Sequence, residues 1–87
     1  MSDKWNVHEV NIEDAKRLLV YALAEASKTP EGLESFALLV HGLGNPTEPV
    51  NQVKNAAAGW ITKLANTNNA TPSTVAAIGR ALALVKA

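Results

Sequence analysis

The side chains able to do chemistry in this 87-residue chain are few, and their types narrow the choices quickly. There are two histidines and no cysteine, so disulfides, thiolate metal ligands and thiolate nucleophiles are excluded together. His8 falls in the first ten residues, and His41 stands just before Gly42. No HExxH pattern, metal-ligand cluster or phosphate loop accompanies them, and Gly42-Leu43-Gly44 alone is no phosphate cradle. His41 reads as a cation at a helix C-terminus, where the dipole favours positive charge. The acid pairs Glu13/Asp14 and Glu31/Glu34 fall near helix starts, where carboxylates are stabilised without any acid–base role. We therefore expect no catalytic residue, no metal ligand, no cofactor and no small-molecule substrate.

The charge pattern is more informative. Net charge is zero, yet all eight acids lie at or before Glu48 beside four of the eight basic residues. The first part is thus −4, and the part from Pro49 onward is +4. Such asymmetry points to partners. Lys54, Lys63, Arg80 and Lys86 are the candidate basic side of an interaction surface; Glu13, Asp14, Glu31 and Glu34 are the candidate acidic side.

These residues must be positioned by helices. Asn11 is a good N-cap, with Val10 as a hydrophobic staple, and Ile12, Ala15, Leu18, Leu19, Ala22, Leu23 and Ala26 keep a helical period. Thr29-Pro30 and Thr71-Pro72 each spell a cap followed by proline at the first helical position. Gly42, Gly44, Asn45, Pro46, Thr47 and Pro49 form the one clear connector, though Pro49 can sit in the first turn of the next helix, and Asn66-Thr67-Asn68-Asn69 stops the third helix because Asn tolerates a left-handed cap. Gly79, inside the last helix, is expected to mark a close helix crossing. The expected core is Leu18, Leu19, Leu23, Leu33, Phe36, Val40, Val53, Trp60, Ile61, Leu64, Val75, Ile78 and Leu82. Shifting the chain by about 42 positions aligns Thr29-Pro30 with Thr71-Pro72 and Leu33, Phe36 and Val40 with Val75, Ile78 and Leu82, which suggests two similar hairpins.

The fold expected is an all-α bundle of four main antiparallel helices, or five or six if short pieces such as Pro49–Val53 are counted. Residues 1–10 read as an N-terminal arm whose Trp5 packs back on the body, and residues 11–87 as one helical-bundle domain. The start lacks a basic, then apolar, leader, and no window holds the roughly 18 apolar residues of a membrane span. A soluble cytoplasmic domain without membrane contact is expected.

Two resemblances follow from the second half. Leu64-Ala65, Asn69-Ala70-Thr71-Pro72-Ser73-Thr74-Val75 and Ile78 resemble a helix-turn-helix of the bacterial repressor type. That likeness implies backbone contacts from Thr71, Ser73 and Thr74, base contacts from Ala76 and Ala77, and a phosphate or base contact from Arg80. Asn68 departs from it, standing where a small or apolar residue packs, and two alanines stand where base readers are expected. From Leu33 to Leu82 the chain also resembles the death fold, a six-helix adaptor bundle. Phe36–Gly44, FALLVHGLG, looks like the helix ending in a Leu-Gly turn. The run AAAGWITKLANTNNATPSTVAAIGRAL is similar to its Trp-containing helix, polar turn, Ala-Thr cap and final Leu-rich helix. That resemblance implies a non-catalytic adaptor, joined head to tail to a like domain through acidic and basic surfaces, as in signalling or defence. The charge split favours this expectation, with helix-turn-helix DNA binding as the alternative.

Overall fold

The computed structural model of the chain describes residues 12–86. The readings placed on Trp5, His8, Val10, Asn11 and the arm lie outside the described residues. Four helices follow one another: α1 (Ile12–Ala26), α2 (Pro30–Gly42), α3 (Thr47–Thr67) and α4 (Pro72–Leu84). Among the described residues there is no strand.

The helix starts follow the local chemistry closely. Thr29 is extended, its hydroxyl accepts from the Gly32 amide at 2.9 Å, and Pro30 opens α2. Thr71 does the same for α4 as a full capping box: the Thr74 amide donates to Thr71 Oγ1, and the Thr71 amide donates to Thr74 Oγ1 at 3.0 Å. Gly44 and Asn45 are both left-handed, at φ +87° and +53°, and the Asn45 amide returns to the Val40 carbonyl at 3.0 Å. Asn68 closes α3 in the same conformation, at φ 60°. Pro49–Val53 is no separate piece. It belongs to the first turns of the 21-residue α3, where a proline's missing N–H has no helical acceptor to lose.

α2 is the hub, packed against each of the other three helices. Its Leu33, Phe36, Ala37 and Val40 are fully buried, and burial of Phe36 alone stabilises the fold by about 1.5–3 kcal/mol. Around them close Ala26 of α1, Val50, Val53 and Ala57 of α3, and Ala77, Ile78, Ala81 and Val85 of α4 and its end. Leu19, Leu23, Trp60, Leu64 and Leu82 are partly buried against this cluster.

Three expected core residues lie outside it: Leu18 at 51%, Ile61 at 51% and Val75 at 55% exposure. For α4 the reason is plain. Its sequence is apolar on nearly every face, so its period does not choose one, and the helix turns its alanines toward α2 for a closer approach. This rotation also breaks the suggested repeat, since Leu33 is buried while its counterpart Val75 is not. Gly79 marks no crossing either: a Cβ there would meet nothing within 4 Å. The close approach is at Gly32, where a Cβ would collide with the Glu25 carbonyl oxygen and lie 2.8 Å from its carbon.

Candidate interaction surface

The capped starts and tight corners fix where each candidate residue stands. Arg80 and Glu34, expected on opposite sides of the molecule, are joined to one another across α4 and α2. Arg80 Nε donates to Glu34 Oε2 at 2.8 Å, and its Nη2 donates to Oε1 at 3.1 Å. The bond from the guanidinium holds the Glu34 carboxyl below its ordinary range, while the Arg80 guanidinium is pushed up by the same bond. Glu31, exposed in the first turn of α2, adds a weaker attraction to Arg80. One basic and two acidic candidates therefore converge at the α2–α4 seam.

The remaining candidates are exposed. Lys54 and Lys63 stand on α3, and Lys86 follows α4. Lys63 Nζ lies 4.9 Å above the Trp60 ring, in a cation–π arrangement. Glu13 and Asp14 occupy the first turn of α1 and pair along the helix, Glu13 with Lys16 at 3.9 Å and Asp14 with Arg17 at 3.2 Å. A third pair spans the end of the same helix, Lys28 just past it to Glu25 at 3.0 Å, and its hydrogen bond raises the Lys28 ammonium above its ordinary value.

The residues singled out for DNA contact are occupied differently. The Thr71 and Thr74 hydroxyls are used in the cap of α4. Ala77, read as a base contact, is fully buried, and Ala76 is half-buried. Both are corrections to the helix-turn-helix expectation, and both come from the rotation of α4 that buries its alanines. Ser73 remains exposed.

Two polar anchors were not foreseen. Trp60 Nε1 donates to the Ala26 carbonyl at 2.9 Å, tying α3 to an otherwise unpaired end of α1. His41 Nδ1 and Asn45 Nδ2 both donate to the Leu84 carbonyl, at 3.0 and 3.2 Å, clamping the end of α4 to the α2–α3 corner. His41 is thus a structural donor between helices. A buried indole N–H needs an acceptor, which was the sequence signal for the first; the second depends on residues about 40 positions apart.

Each of the four helices leaves a large apolar side chain on solvent, Leu38 on α2, Ile61 on α3 and Val75 on α4, and α1 leaves three. Val20 is 70%, Tyr21 64% and Leu18 51% exposed, and a shallow groove on this helix is lined by Glu13, Lys16, Arg17, Val20 and Tyr21. Val20 and Tyr21 fall off the helix's buried stripe, so their exposure was legible; that of Leu18 was not. Among the described residues, no group of three His, Asp or Glu is placed to hold a metal ion, and no helix is long and apolar enough to cross a membrane. No family model, curated protein or solved structure matches the chain.

Proposed function

We propose that the chain is a non-catalytic, cytoplasmic protein-interaction module that joins to copies of itself or to another helical domain. The observation that carries this reading is the pair of large apolar side chains Leu18 and Tyr21, three positions apart on one face of α1, held on solvent by a folded helix and flanked by charge. Clustered exposed apolar area of this kind marks contact sites. The antiparallel four-helix arrangement and the death-fold likeness belong to the same reading. Four helices are described where that fold has six, so the proposal rests on the α1 face rather than on kinship.

Charge has a secondary part. With Arg80 and Glu34 held together by two hydrogen bonds, electrostatic attraction between modules falls to Lys54, Lys63 and Lys86 facing Glu31 and the carboxylates Glu13 and Asp14, which also pair with Lys16 and Arg17 along their own exposed helix. An Arg80→Glu exchange would therefore report on the α2–α4 seam and not on an interface. Helix-turn-helix DNA binding is the weaker reading, since the capping hydroxyls and the buried Ala77 leave α4 little to read bases with.

The test is molar mass by light scattering over a concentration series, at low and high salt. We expect mass to rise above that of the monomer with concentration. A strict monomer under every condition refutes self-association, and a salt-dependent affinity for duplex DNA in the same buffers would move the reading to the helix-turn-helix.

A further inference from the structure

We propose that α1 is a two-fold homodimer face, in which two copies lay this helix antiparallel about an axis through Tyr21. The inference rests on the self-association reading above and replaces a head-to-tail contact with an isologous one.

The argument begins with spacing. Asp14, Arg17, Leu18, Tyr21, Ala24 and Glu25 stand three or four positions from one another in turn, so they form one stripe along α1, which Lys28 continues in the turn just past Ala26. The buried stripe of Leu19, Ala22, Leu23 and Ala26 lies on the other side, against α2 and the core. Every member of the first stripe except the half-buried Glu25 is exposed.

The stripe is complementary to its own reverse. Asp14 and Lys28 stand seven positions either side of Tyr21, Asp14 about 10 Å along the axis at 1.5 Å per residue and Lys28 in the turn that its amide closes on the Glu25 carbonyl. Arg17 and Glu25 likewise stand about 6 Å either side, and Leu18 and Ala24 about 4.5 Å. An antiparallel copy centred on Tyr21 therefore sets Asp14 against Lys28, Arg17 against Glu25 and Leu18 against Ala24, with the two tyrosine rings meeting at the axis. Each chain already holds the charges as two ordered pairs, Asp14 with Arg17 at 3.2 Å and Glu25 with Lys28 at 3.0 Å. The reversed copy brings the opposite order alongside, so every charge gains a second neighbour of opposite sign. A parallel copy would place like on like at all four positions, which is unfavourable. The centre is apolar and the ends are charged, as in a contact with a dry middle and a polar rim.

The chain has no cysteine, so single thiols read this geometry directly. Tyr21→Cys places the two sulfurs at the axis, and mild oxidation should give a disulfide-linked dimer. Ala24→Cys places them on opposite sides of the axis, about 9 Å apart along the helices, and should remain largely uncrosslinked. Lys28→Glu should weaken association of the cysteine-free protein at least tenfold by light scattering, and adding Asp14→Lys in the same chain should restore most of that loss. Equal crosslinking of both thiols would mean a parallel or different pairing and overturn the proposal. So would a mass that rises with concentration while neither thiol crosslinks, which leaves self-association standing on another surface. A strict monomer removes both the proposal and the reading beneath it.

Discussion

Gly79→Ala and Gly32→Ala are the same chemical change, and the fold makes them opposite in effect. Gly79 lies inside α4, is exposed, and has open space where a Cβ would go. Alanine there should stabilise the protein by about 0.8–1 kcal/mol, the helix-propensity difference, because nothing opposes the gain. With a urea dependence of about 1 kcal/mol per molar for a chain this small, the unfolding midpoint should rise by roughly 0.8–1 M. The melting temperature should rise by about 4–8 °C. Gly32 also lies in a helix, but its Cβ would collide with the backbone carbonyl of Glu25 and crowd Thr29 Oγ1 at 3.1 Å. Backbone does not swing aside as a side chain would, and overpacking of this kind costs about 1–3 kcal/mol. Set against a propensity gain below about 1 kcal/mol, the net effect is destabilising. Urea unfolding followed by far-UV ellipticity measures both. If the two variants shift the midpoint in the same direction, the packing of α1 on α2 and the open face of α4 are wrongly drawn.

Three other outcomes follow from named contacts. Thr71→Ala removes the cap of α4 and should cost about 1 kcal/mol by the same urea assay, while Ser73→Ala, exposed and outside the box, should cost much less. Trp60→Phe keeps a ring but leaves the Ala26 carbonyl without its 2.9 Å donor; a loss of about 0.5–1.5 kcal/mol is expected, and no loss would mean that water replaces the bond freely. The Glu34 carboxyl is lowered in the folded state by its bond from Arg80, so its contribution is complete above the ordinary glutamate value of about 4.3 and is lost as pH falls through the lowered value. Glu34→Gln should flatten that acid limb of the stability curve and leave its alkaline side unchanged; an unaltered acid limb would place the linkage elsewhere.

Much of the fold was legible from local chemistry. Thr29-Pro30 and Thr71-Pro72 announce helix starts because a hydroxyl cap and a residue without an N–H suit the same two positions. Asn68 announces a stop because its side chain tolerates the left-handed backbone. Leu33, Phe36 and Val40 could be assigned to the core from α2 alone, since they recur at helical spacing opposite Glu31 and Ser35, although the apolar run Phe36–Val40 goes round the helix and leaves Leu38 exposed. These are properties of a residue and its neighbours within four positions, and they hold in almost any tertiary setting.

What needed the tertiary structure was rotation and pairing. α4 carries apolar residues all round, so only contact with α2 decided that Ala77 and Ala81 go inward and Val75 outward. α1 has one stripe buried and another apolar group left over, and that surplus became visible once α2 had taken the first. Glu34 and Arg80 were read as belonging to opposite surfaces because their signs differ and they lie 46 positions apart. The packed helices bring them within 2.8 Å, and opposite charges at that distance join each other. Sequence determines where helices begin and end because capping is local; which face each one buries is settled by competition among faces, and that competition exists only after the helices meet.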